Sequence, residues 1–138
     1  MTGPTSPAGL PLTRVDHVAI AVRDADAALP YYTQRLGLPV IGDEIAEEPG
    51  VRLVYLDAGN TFVQLVQPVR PGPVAGWLDE HGEGLHHICF AAPDLAEVLG
   101  TLGDSAPIFR GGRGRNACFL SDRPNNVAVE LTESEPSR

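Results

Sequence analysis

Residues 15–22 read VDHVAIAV, with His17, Ala19 and Ala21 on one parity and Val18, Ile20 and Val22 on the other. A period of two predicts a strand with one bulky aliphatic face. Residues 86–92, HHICFAA, repeat the pattern, with His87, Cys89 and Ala91 set against Ile88, Phe90 and Ala92. The likeness runs on. HVAIAVRDADAAL (17–29) aligns with HICFAAPDLAEVL (87–99), matching His17 with His87, Asp24 with Asp94 and Leu29 with Leu99. FVQLV (62–66) aligns with AVELT (128–132), matching Val63 with Val129, Gln64 with Glu130 and Leu65 with Leu131. The chain is therefore predicted to contain two copies of a module of about sixty residues, a duplication rather than a solenoid, which needs three repeats or more.

Each copy reads β-α-β-β-β, an α+β fold. In the first, a strand at 15–22 leads to Asp24 as helix N-cap and a helix over 25–35. Strands follow at 38–45, 51–58 and 61–67, with DAGN (57–60) as a hairpin turn. In the second, a strand at 86–92 and a helix over 94–102 precede strands at 106–109, 115–120 and 126–132. Each helix ends on a glycine, in RLGL and TLGD. One domain over 14–138 is expected, with modules at about 14–68 and 84–133. The linker at 69–83 is predicted to hold a short helix over 74–82, and residues 1–13 a disordered leader.

The 138 residues are 43% apolar and 20% charged, the balance of a globular protein. The net charge is −8 and there is no lysine, which counts against nucleic acid and anionic membrane as partners. No run of eighteen or more apolar residues predicts a membrane span. MTGPTSPAGLPLT lacks the features of a secretory signal, so a cytoplasmic location is the default. Two cysteines, Cys89 and Cys118, are too few for a disulfide scaffold and read as small buried hydrophobes.

The period-two sorting carries the candidate chemistry. The aliphatic faces are expected to pack on the helices. The opposite faces place one polar group among alanine, cysteine and threonine, which predicts space rather than a filled core. His17, Gln64, His87 and Glu130 are the four polar groups. Two imidazoles, an amide oxygen and a carboxylate suit a divalent cation with open positions for water or substrate. His87 joins this set, and His86, of opposite parity, is expected to be a structural neighbour.

DHVAIAVRDADAALPYY, GNTFVQLVQP, WLDEHGEGLHHICFAAPDL and VAVELTE resemble the vicinal oxygen chelate (glyoxalase/bleomycin resistance/dioxygenase) superfamily, and within it the methylmalonyl-CoA epimerases. The resemblance covers about residues 14–133. It implies paired βαβββ modules forming a U-shaped mixed sheet around a metal-centred cavity, with His17, Gln64, His87 and Glu130 as ligands to one divalent ion: cobalt, nickel, manganese, zinc or iron. It also implies a CoA thioester substrate, a homodimer, and α-proton removal through a metal-stabilised enolate with Glu130 as one proton carrier.

Two segments depart from the epimerase pattern. The second carrier, in many bacterial epimerases, is a glutamate three positions after the glycine of a GV segment. In EEPGVRLVYL that position is Leu53, which cannot carry a proton. Tyr55 lies on the same strand face, and both are expected to line the substrate site; Glu47 and Glu48 are expected to be solvated. FLSDRPNN replaces the family's FL-HPK, although Arg110, Arg113 and Arg115 remain available to anionic groups. The alternatives are a diverged lyase, glyoxalase-type enzyme or dioxygenase, or a small-molecule binding or resistance protein.

Overall fold

The computed structural model describes residues 12–134. The expected leader therefore lies almost wholly outside the described residues. The chain divides into two compact units, one of His17–His87 and one of Ile88 onward together with the segment ending at Asp16. The divisions fall inside two strands, β1 (Arg14–Ala21) and β5 (Gly84–Ala92).

In the first unit β1 is followed by α1 (Ala25–Pro30), β2 (Val40–Ala46), β3 (Val51–Asp57), β4 (Phe62–Pro68) and α2 (Pro73–His81). The strands lie in the order β2-β3-β4-β1, antiparallel except for β4 and β1, which run parallel. One face carries Val22, Val54, Leu56 and Leu65, packed with Ala25, Ala28 and Leu29 of α1. This is the predicted aliphatic layer. The other face is less open than the small residues suggested. Ala19, Ala21, Leu53, Tyr55 and Val66 form a cluster with Val74 and Leu78 of α2, so the linker helix fills part of it.

In the second unit β5 leads to α3 (Leu95–Leu102), β6 (Phe109–Arg110), β7 (Asn116–Phe119) and β8 (Ala128–Glu133), in the strand order β5-β8-β7-β6. Leu95, Val98 and Leu99 of α3 pack on Cys118 and Leu131. No described helix is long and apolar enough to cross a membrane.

The repeat is visible at the level of single dihedrals. Asp24 caps α1 at φ −144°, ψ 104°, and Asp94 caps α3 at φ −143°, ψ 104°. Asp24 accepts from the amides of Asp26 and Ala27 at 3.0 and 3.3 Å, and Asp94 from that of Glu97 at 3.1 Å. Gly37 and Gly103, beyond the two helices, have φ of 73° and 67°, the left-handed region that glycine enters without steric cost.

Three elements differ from expectation. The first helix stops as an α-helix at Pro30 and continues through Tyr31–Arg35 as a wider π turn, closed by Leu36 N–H to Tyr31 O at 3.1 Å. Pro30 has no N–H to give to the α ladder. The strand expected at 106–109 shrinks to Phe109–Arg110. Asp104 accepts from the Ala106 amide at 2.9 Å, forming a local turn, and Pro107 has no donor for a strand ladder. The last strand begins at Ala128, because Asn125 and Asn126 turn through φ 59° and 63° just before it.

Candidate metal and active site

The first unit brings two imidazoles together. His17 on β1 and His87 on β5 are 3% and 5% exposed, and their Nε2 atoms lie 3.3 Å apart. The rings meet edge to face, centroids 5.4 Å apart at 76°. Two nitrogens at about 2.1 Å from one ion, separated in this way, subtend about 100° at it, between the tetrahedral and octahedral angles.

Gln64 on β4 is the second-strand component. It is 4% exposed, and its register partners are Ala19 on β1 and Tyr55 on β3. Its Oε1 is buried and has no hydrogen-bond partner among the described residues. A buried amide oxygen without a donor costs about 1–3 kcal/mol, so it calls for an explanation, and an ion supplies one. The residues present therefore fit a divalent metal: two neutral nitrogen donors and one neutral oxygen donor, all buried.

Tyr55 sits on the same face, 2% exposed, with its ring edge-on to His17 at 6.2 Å and 89°. Leu53 is 6% exposed and belongs to the apolar cluster with Ala21 and Val66. It stands opposite Val66 on one side and opposite Glu44 on the other. Cross-strand partners share a face. Ala46 of β2 packs on that cluster, and a Cβ at Gly42 would meet the Tyr55 ring at 3.3 Å, so residues 42, 44 and 46 line it. Glu44 was not singled out in the sequence, because the pairing of β2 with β3 that sets it beside Leu53 is not legible there. Its hint was parity, two residues before Ala46. Glu47 and Glu48 are exposed and pair loosely with Arg70 at 3.7 and 3.9 Å.

Glu130 belongs to the second unit. It lies on β8 between Ala128 and Thr132, all three buried, and pairs in register with Phe119. The Cys89 thiol is held far above its ordinary range by burial first, then by the negative charges of Glu130 and Asp16 and a hydrogen bond with Glu130. Cys89 is thus an inert filler. Cys118 is pushed up to about 11, again mainly by burial.

The arginines of the glycine-rich loop do not stand free for a ligand as expected. Arg113 forms an ion pair with Asp16, which is fully buried, and Arg14 and Arg115 approach the same carboxylate at 3.2 and 3.9 Å. Arg110 donates to the carbonyl of Gly114. Asp16 was not singled out in the sequence, because its parity places it off the polar face.

Comparison with known proteins follows the same lines. The family model of the glyoxalase/bleomycin resistance protein/dioxygenase superfamily matches residues 16–119. The chain belongs to this superfamily. It is 35% identical over 130 residues to the uncharacterized protein YqjC of Bacillus subtilis, covering 88% of this chain and 93% of that one. It is 34% identical over 131 residues to the ethylmalonyl-CoA/methylmalonyl-CoA epimerase of Cereibacter sphaeroides, covering 87% and 97%. Among solved structures, a variant of the Streptomyces coelicolor methylmalonyl-CoA epimerase in complex with 2-nitronate-propionyl-CoA superposes with a TM-score of 0.79 at 32% identity, covering 91% of this chain and 99% of that one. The fold class is therefore the glyoxalase-like α+β fold of this superfamily.

Proposed function

We propose that the protein is a metal-dependent isomerase that removes and returns the proton α to a carbonyl. Its substrate is methylmalonyl-CoA or a related 2-substituted malonyl thioester. The observation that carries this is the buried His17–His87 nitrogen pair on one face with the partnerless Gln64 oxygen. The epimerase relative and the neighbour holding a CoA-thioester analogue support the substrate class.

His17, Gln64 and His87 would hold the ion, with Glu130 as the fourth ligand; cobalt, nickel, manganese, zinc and iron all accept this donor set. A bound divalent ion supplies Lewis-acid polarisation of a carbonyl oxygen, which lowers the cost of removing the neighbouring proton. The Glu130 carboxylate takes that proton on one side of the α-carbon. Inversion requires a second group to return a proton on the other side. Leu53 has no ionisable group, and we assign this role to Glu44, its cross-strand partner on the same face. Tyr55 and Leu53 line the substrate, and Tyr55 stiffens the His17 ring. The protein would act as a cytoplasmic homodimer, which sedimentation equilibrium checks for assembly.

One observation favours a second reading. Leu53 is packed in an apolar cluster where a second base is expected. A one-base lyase or glyoxalase-type reaction on another small oxygen-rich substrate needs no partner for Glu130.

The test starts from a single epimer of methylmalonyl-CoA. Metal-loaded protein should convert it to a mixture of both epimers, and chelated protein should not. No conversion by the loaded protein at any of the five metals would remove the epimerase assignment.

A further inference from the structure

His87 presents its two ring nitrogens to two different histidines. Its Nε2 faces Nε2 of His17 at 3.3 Å, and its Nδ1 lies 2.8 Å from Nδ1 of His86. His86 is not a mere neighbour. Its ring meets Trp77 of α2 edge-on, centroids 5.1 Å apart at 72°. Trp77 stacks in turn on His81, centroids 4.8 Å apart at 29°. His81 is tied to its own helix, with Nδ1 3.2 Å from the carbonyl oxygen of Trp77.

A neutral imidazole has one N–H and one lone pair. A metal on His87 Nε2 uses the lone pair there, so the proton of His87 must sit on Nδ1. Nδ1–H is then a donor, and the atom facing it at hydrogen-bond distance, His86 Nδ1, must accept. That places the His86 proton on its own Nε2. Ligand histidines ordinarily give this hydrogen to a carboxylate, a carbonyl or water. We propose that His86 is the positioning residue of His87, a histidine acceptor that fixes the ligand's tautomer and ring orientation, and that α2 holds it in place through Trp77. This rests on the metal site proposed above.

The acceptor, rather than the ring's bulk, is the property to test. His86→Phe keeps a flat ring against Trp77 and removes the acceptor. His86→Gln removes the ring and keeps an acceptor oxygen. Zinc affinity of the full chain, measured by competition with a chromophoric chelator, reads the difference without any activity assay. His86→Phe should bind about 10–100-fold more weakly than wild type, the usual effect of losing such a partner. His86→Gln should recover most of that loss. Thermal unfolding of the metal-free variants checks that each folds, and His86→Leu replaces the phenylalanine variant if it does not.

Equal affinity in wild type and His86→Phe would overturn the proposal while leaving the metal site intact. An equal loss in the phenylalanine and glutamine variants would also overturn it, since shape alone would then be what matters. A wild type that binds no zinc, cobalt, nickel, manganese or iron would remove the metal site itself, and the role of His86 with it.

Discussion

Gln64 and Glu130 stand at matching positions of the two copies, on β4 and β8, and both are buried. Their surroundings differ. The amide oxygen of Gln64 has no hydrogen-bond partner among the described residues, whereas Glu130 has partners of its own and its negative charge helps hold the Cys89 thiol up. A neutral oxygen left alone costs about 1–3 kcal/mol, but an isolated buried carboxylate costs far more. One strand position of a duplicated module thus carries an amide in one copy and a carboxylate in the other, and of the two only the carboxylate is a group that can take up a proton. By contrast, the Asp24 and Asp94 caps have stayed nearly superimposable in dihedral angle.

The largest expected effect is at His87, a ligand of the proposed ion. His87→Ala should abolish tight metal binding and all turnover, as measured by metal content after gel filtration. Next in size is Glu130→Gln, which gives both copies an amide. Its turnover should fall by about 10²–10⁴-fold, the usual worth of a positioned proton carrier, while metal is retained at reduced affinity. Gln64→Ala should do the reverse, weakening metal binding with a smaller effect on saturated turnover. If the two variants behave alike, the division of labour between the copies is wrong.

Glu44→Gln asks which edge strand carries the second proton group. It should suppress inversion while leaving removal of the proton by Glu130 in place, a split visible when loss of the α-proton and change of configuration are followed together. The matched caps should respond equally and modestly: Asp24→Ala and Asp94→Ala should each cost about 1 kcal/mol, read by urea unfolding. Smallest is the thiol response. With Cys118 held up to about 11 and Cys89 higher still, neither should react with iodoacetamide at pH 8 in the folded protein, and both should in urea. The stability that goes with the raised Cys118 value is fully present below the unfolded value of 9.0 and is lost as pH rises toward about 11.

Most of the strand and helix order was legible because the repeat doubles every signal. His17 and His87, each weak by itself, reinforced one another, as did Asp24 and Asp94. The illegible parts lie where the copies diverge or where a local competitor acts. Asp104 and Pro107 shortened β6, and Pro30 widened the end of the first helix. Period-two parity placed Gln64 on the polar face but gave no sign that its oxygen would lack a donor, which depends on every neighbour at once. It also could not show that Val74 and Leu78 of the linker helix close part of the face. His86 was set aside on parity, which gave no sign of the 2.8 Å contact between its Nδ1 and that of His87. The arginines of GGRGR were legible as a cluster, but their common partner, buried Asp16, lies 97 residues from Arg113 in sequence.

The most direct test of the central claim is solvent exchange at the α-carbon. Metal-loaded protein is incubated with one epimer of methylmalonyl-CoA in deuterated water, and the α-proton is followed by NMR against a metal-free control. Loss of the α-proton signal well above the control is the predicted result, accompanied by appearance of the other epimer. Exchange no faster than the control would contradict the account, and the chain would then be a member of the superfamily acting on a different substrate.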